Sequence, residues 1–186
     1  MEIPLIIIGG LILILIVVIW GTYNGLVKLN ERVSEAWSDI TVQLKYRADL
    51  IPNVVETVKG YAKHEKEAFS EVTKARAGIM GAKGVKESAV AEDALTGALS
   101  KVFAIAEAYP ELKANTNFQK LQQQLEDVED KIQAARRFYN AGAKDLNVKI
   151  KVFPSNVFAK KLGFKTREYF EVSDRKAIED APEVKF

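Results

Sequence analysis

Between Leu26 and Ala75, apolar residues recur at every third or fourth position for about fifty residues without a loop signal, which is the period of one face of an α-helix. The stripe runs through Leu26, Leu29, Val33, Trp37, Ile40 and Leu44, then Ile51, Val54, Val58 and Tyr61, then Phe69, Val72 and Ala75. Arg47 and Glu65 stand where apolar side chains belong. The pattern predicts one helix from Tyr23 to Ala77, roughly 80 Å long at about 1.5 Å per residue, kinked near Pro52 where the ring removes a backbone hydrogen bond. Upstream, Leu5 to Trp20 is an uncharged apolar run interrupted only by Gly9 and Gly10. From Ile3 to Tyr23 a helix covers about 31 Å, which matches a hydrocarbon core of about 30 Å. Residues 1–22 are therefore expected to form a transmembrane anchor, with Trp20 and Tyr23 at the membrane interface. A cleaved secretory signal is the rival reading. It calls for a positive start and a small-residue cleavage site, whereas here Glu2 precedes the run and the bulky Trp20-Gly21-Thr22-Tyr23 comes after it.

Past Ala77 the pattern gives way to Gly78-Ile79-Met80-Gly81-Ala82-Lys83-Gly84, read as a loop with Gly78 as the helix C-cap and Ile79 and Met80 on its tip. A phosphate cradle is rejected, because Gly84-Val85-Lys86 lacks the Gly-Lys-Ser/Thr that opens a P-loop helix. A second helix from Lys86 to Tyr109 would bury Ala89, Leu95, Leu99, Val102, Ala106 and Tyr109 before Pro110 closes it. After a turn, Thr116-Asn117-Phe118-Gln119 has the capping-box pattern and opens a third helix. Its stripe is Phe118, Leu121, Leu125, Val128, Ile132, Ala135, Tyr139 and Leu146, ending near Lys149. A short fourth helix fits Pro154 to Leu162, with Gly163 as its C-cap. Phe164, Tyr169 and Phe170 can pin the chain beyond that helix to the bundle, and the charged segment 171–186 is expected to fray. The expected fold is all-α: a transmembrane helix (1–22) continuing into an antiparallel bundle (23–170) of three long helices and a short fourth, then a tail (171–186).

Charge adds little to this picture. Lys and Arg number 27 against 25 Asp and Glu, a formal +2, interspersed rather than gathered into a patch, so nucleic acid is not an expected partner. The absence of cysteine removes disulfides, thiolate nucleophiles and a lipid-modified cysteine. Lys28 and Arg32 lie just after the span and no Lys or Arg precedes it, which predicts a cell-membrane protein with its N-terminus outside and its bundle in the cytoplasm.

The stretches Arg47-Ala48-Asp49-Leu50-Ile51-Pro52-Asn53 and Tyr61-Ala62-Lys63-His64-Glu65 resemble the LemA family of bacterial membrane proteins. Tyr109-Pro110-Glu111-Leu112-Lys113-Ala114-Asn115, Glu129-Asp130-Lys131-Ile132, Ala135-Arg136-Arg137-Phe138-Tyr139-Asn140, Phe153-Pro154-Ser155-Asn156 and Gly163-Phe164 are similar to further stretches of that family, in the same order. The resemblance covers essentially Tyr23 to Phe170. It departs at Ala106-Glu107-Ala108, where the family more often has Glu-Asn before Tyr-Pro. It implies a membrane anchor and a helical bundle without established catalysis. Some relatives carry a lipoprotein cysteine, so the resemblance leaves orientation open.

Enzymatic chemistry is thin. His64 is the single histidine, so a di-iron bundle site with Glu-x-x-His on two helices cannot form, and no serine sits on a nucleophile elbow. A hydrolase built on His64 and Glu65 is the weakest reading, and no metal, cofactor or small-molecule substrate is expected. Arg47, Glu65, Glu129 and Arg136 fall on or beside core stripes. They are read as a buried ion-pair network that sets helix register, with an acid–base pair of Glu65 and Glu129 as the alternative. The predicted helix lengths do not match, and a second helix of about 35 Å cannot return to the start of a first of roughly 80 Å. Leu26, Leu29, Val33, Trp37 and Ile40 would then lack a partner in their own chain, unless the fourth helix and tail fold back over them. An exposed stripe beside the bilayer predicts homo-oligomerisation into a membrane scaffold. The competing function is an adaptor that docks another membrane protein through this stripe or through Ile79 and Met80.

Overall fold

The computed structural model describes residues 2–171, so the expectation for the tail lies almost wholly outside the described residues. The chain is all-α, with no strand among the described residues. Its elements are α1 (Glu2–Lys59), α2 (Lys66–Gly81), α3 (Gly84–Glu107), α4 (Pro110–Lys113), α5 (Thr116–Lys151) and α6 (Ser155–Ala159).

The first long helix is shorter at its C-terminal end than its apolar stripe predicts. It stops at Lys59, because Gly60 forfeits about 1 kcal/mol of helix preference and the next turn has tertiary anchors. Ala62 is buried there, and the Tyr61 hydroxyl accepts a hydrogen bond from Asn115 Nδ2 at 2.9 Å. The downstream limb is a separate helix, α2, which makes four helices of substantial length rather than three. The glycine-rich loop is also corrected. Helix α2 continues through Gly78 to Gly81, and only Ala82 and Lys83 separate it from α3, whose first residue, Gly84, has φ +82°.

Helix α1 passes through Pro52 without a break. Proline has no N–H for the carbonyl four residues earlier, which belongs to the fully buried Ala48. Arg76 of α2 supplies the missing donor, its Nε lying 2.9 Å from the Ala48 oxygen. Helix α5 begins with a different cap from the one its sequence suggests. Asn115 Oδ1 accepts the backbone N–H groups of Asn117 (2.9 Å) and Phe118 (3.0 Å), so Asn115 rather than Thr116 satisfies the first turn. At the other end of the chain Gly163 takes φ +84°. The N–H of Phe164 reaches the Ala159 oxygen (3.0 Å) and that of Gly163 the Lys160 oxygen (3.3 Å), the paired bonds of a Schellman stop.

The described residues divide into two compact units, residues 2–38 with 137–168, and residues 39–136 with 169–171. In the second, α2 runs back along α1, with Lys59 Nζ 5.6 Å from the Phe69 ring and Arg76 bonded to Ala48. Helix α3 reverses again, with Lys101 paired to Glu71 at 2.6 Å. The N-terminal half of α5 closes the four-helix arrangement, where Phe118 meets Phe103 edge-on at 6.2 Å. The core side chains Ile51, Val54, Leu95, Leu99, Val128 and Ile132 are essentially inaccessible.

In the first unit, α1 and the C-terminal half of α5 run antiparallel. Trp37 packs on Tyr139 with ring centroids 5.7 Å apart. Gly142 lies against Val33 so closely that an added Cβ would meet Val33 Cγ2 at 3.3 Å. The segment 164–168 crosses this pair as a strap. Asn147 grips the Arg167 backbone from both sides, accepting its N–H at 2.7 Å and donating to its oxygen at 2.9 Å. The Tyr139 hydroxyl donates to the Glu168 oxygen at 2.9 Å, and burial pushes that phenol's pKa up. Arg167 Nη2 donates to Asn30 Oδ1 at 2.9 Å.

These contacts correct the expectation of an unpartnered stripe. Leu26, Val33 and Ile40 are wholly buried within their own chain, and Leu29 and Trp37 are half-buried. In the first unit the cover is α5, which runs to Lys151, together with the strap behind α6. The cover is thus mainly the third predicted helix, extended to Lys151, with only the strap at 164–168 drawn from the fourth-helix-and-tail alternative.

Candidate functional site

The most polar point of the core lies in the second unit, where α1, α3 and α5 each contribute a charge. Arg47 is 5% exposed and Glu92 2%. Arg47 Nη1 sits 2.5 Å from Glu92 Oε1, 2.7 Å from Glu129 Oε2 and 3.0 Å from Thr96 Oγ1. Thr96 in turn donates to Glu92 Oε1 at 3.2 Å. One guanidinium corner thus faces three oxygens. The Glu129 oxygen lies within ion-pair range of Arg47 Nη1 without an aligned hydrogen bond, and Arg47 Nε also has no hydrogen-bond partner. Burial raises the Glu92 pKa above its ordinary 4.5, more strongly than the nearby Arg47 lowers it; the charge of Glu129 raises it further.

Only two of the four charges singled out in the sequence, Arg47 and Glu129, meet in this cluster. Arg136 is half-buried, its guanidinium 5.3 Å from the Phe170 ring centroid and close enough to Glu92 to favour that carboxylate's charged form. Glu65 is not in the cluster: it is half-buried at the N-cap of α2, because α1 has already ended and the helical phase that placed Glu65 in the core is broken. Its place is taken by Glu92, which the sequence reading missed. The signal was present, since Glu92 lies three residues after Ala89 and three before Leu95, on the apolar face of its own helix. Ile79 is buried against the bundle and only Met80, 50% exposed, faces solvent, so the pair does not ride together on a loop tip. His64 lies exposed in the turn between α1 and α2.

One guanidinium here meets two carboxylates, and the three side chains pin α1, α3 and α5 to one another. A cleft of about 850 Å³ in the same unit is lined by Lys59, Lys63, Lys66 and Lys74 with Phe69 and Thr73. Among the described residues no group of three or more His, Cys, Asp or Glu side chains is placed to hold a metal ion.

The second feature is the start of α1. It is long and apolar enough to cross a membrane, with a mean hydropathy of 2.6 over its most apolar window and few buried side chains there. Trp20 is 67% exposed, and Tyr23 meets Phe164 edge-on at 6.0 Å.

Comparison with known proteins places these features in a family. Magnetosome proteins MamQ 1 and MamQ 2 of Paramagnetospirillum magneticum are each 26% identical to the chain over 175 residues, covering 80% of it. The chain spans only 64% of the length of these two relatives. Protein LemA of Metamycoplasma hominis is 29% identical over 163 residues, covering 86% of the chain and 73% of that protein. The LemA family model matches residues 36–186, from the part of α1 that enters the bundle through Arg47, Glu92 and Glu129 to the final residue. The chain belongs to the LemA family.

Proposed function

We propose that this is a non-enzymatic, single-pass membrane protein, with residues 1–22 as its anchor and the bundle on the cytoplasmic side, whose copies associate within the plane of the bilayer as a scaffold. The observation that carries this reading is the continuity of α1. The described large apolar side chains from Ile3 to Val18 are 37–74% exposed, and the same helix continues without a loop into the packed stretch around Leu26 and Val33. Side chains of that kind, exposed over so many turns, find their solvent in a bilayer. A load on the bundle would reach the anchor through helix rather than linker. Relatives named as magnetosome proteins, rather than for a reaction, support a role in organising a cellular structure. With the Leu26–Ile40 stripe consumed internally, the outward face of α1 offers Val42 (58% exposed) and Tyr46 (44% exposed) for contact between copies.

The test is the mass of the full chain in mild detergent by light scattering, beside Val42→Asp with Tyr46→Asp. A defined assembly that is lost in the variant is the expected result. A monomer in both samples would remove self-association and leave the adaptor reading, to be pursued by crosslinking in membranes.

A further inference from the structure

The whole chain is charge-balanced, but one stretch is not. Between Leu146 and Arg167 there are five lysines (149, 151, 160, 161 and 165) and an arginine, and no Asp or Glu. This corrects the view that basic residues are evenly interspersed. The same stretch holds the most exposed aromatic side chain among the described residues, Phe153 at 81%, with Val152 (44%), Val157 (50%) and Leu162 (40%) exposed around it. Lys151, Lys160, Lys161 and Lys165 are all exposed as well.

Helix register gives the place of this patch within the first unit. Helices α1 and α5 are antiparallel, with Val33 opposite Gly142. Nine residues on from Gly142, α5 ends at Lys151, and nine residues back from Val33 is Asn24, one residue from Tyr23. The contact of Tyr23 with Phe164 at 6.0 Å shows independently that the chain beyond α6 reaches this level. The turn at 152–154, α6 and residues 160–165 therefore lie where α1 leaves the apolar span.

We propose that this platform is a second membrane contact, in which Phe153, Val157 and Leu162 enter the interfacial layer while the lysines hold anionic lipid headgroups. Exposed apolar side chains among lysines, with no carboxylate to repel phosphate, are what binding at an anionic bilayer surface requires. The contact would set how far the bundle stands from the bilayer and tether it beside its own anchor. The inference rests on α1 crossing the membrane.

Because the chain has no cysteine, single substitutions can carry an environment-sensitive nitrobenzoxadiazole probe. The full chain with Phe153→Cys is reconstituted into phosphatidylcholine vesicles with and without phosphatidylglycerol, beside Ile12→Cys in the span and Val90→Cys on the exposed face of α3. The expected result at position 153 is a blue-shifted probe, quenched several-fold less by aqueous iodide than the one at 90, and only when phosphatidylglycerol is present. Adding Lys151→Gln, Lys160→Gln, Lys161→Gln and Lys165→Gln, all at exposed positions, should return it to the water-exposed value. A probe at 153 as exposed as that at 90 in both vesicles, with 12 protected, overturns the platform and leaves the anchor standing. An exposed probe at 12 overturns the anchor itself. Protection at 153 that is independent of lipid charge, or that occurs in detergent and grows with protein concentration, also overturns the proposal, the latter in favour of a contact between copies.

Discussion

Arg76 and Pro52 form a testable pair, because the first repairs a defect that the second creates. The Ala48 carbonyl is buried, has no N–H four residues on to accept from, and receives Arg76 Nε at 2.9 Å. Arg76→Met keeps the apolar stem and deletes the donor. A buried acceptor left unpaired costs about 1–3 kcal/mol, and the complete burial of Ala48 puts the expected loss near 2 kcal/mol. For a domain of this size that lowers Tm by roughly 4–8 °C. Pro52→Ala restores the N–H that completes the helical bond, so in that background Arg76→Met should cost no more than about 0.5 kcal/mol, a coupling of about 1.5 kcal/mol. The four proteins would be compared as full chains in one detergent, by far-UV circular dichroism during heating. An equal cost of Arg76→Met in both backgrounds would refute the reasoning and reduce Arg76 to ordinary packing.

The ionic pin should respond asymmetrically. Arg47→Met strands two carboxylates and should destabilise by about 3–5 kcal/mol, whereas Glu92→Gln, a neutral isostere that leaves Arg47 paired with Glu129, should be near-neutral or stabilising at pH 7. Thermal melts that show equal losses for the two variants would refute this. The folded-state pKa of Glu92 is raised, so its contribution is complete below about pH 4.5 and is lost as pH rises through the folded value; Glu92→Gln should abolish that slope in Tm measured against pH. Asn147→Ala removes both bonds to the Arg167 backbone and should cost about 2 kcal/mol, with faster hydrogen exchange at the Arg167 amide as its local signature. Gly163→Ala forces a side chain into φ +84° and should cost about 1 kcal/mol, read in the same melts.

The sequence alone determined the all-α class, the apolar span and most of the buried faces, because these depend on local period: Leu95, Leu99 and Val102 on α3 and Leu125, Val128 and Ile132 on α5 are buried as their spacing predicts. Gly163 was legible for the same reason, as a left-handed stop needs only its neighbours. Three features were decided by tertiary structure. Periodicity records which face of a helix is buried but not the direction of its axis, so the stripe through Tyr61 continued in phase into Phe69 and Val72 although the chain had turned back at Gly60. Charge placement inherited that error: Glu65 belonged to the core only on an unbroken helix, and Glu92 met Arg47 because α3 returned alongside α1. Finally, a stripe states that it needs cover and not what provides it. The cover of Val33 comes from Gly142, more than a hundred residues away, where the missing side chain lets two helices close. Such a contact depends on two distant stretches meeting, and no local pattern in either stretch encodes it.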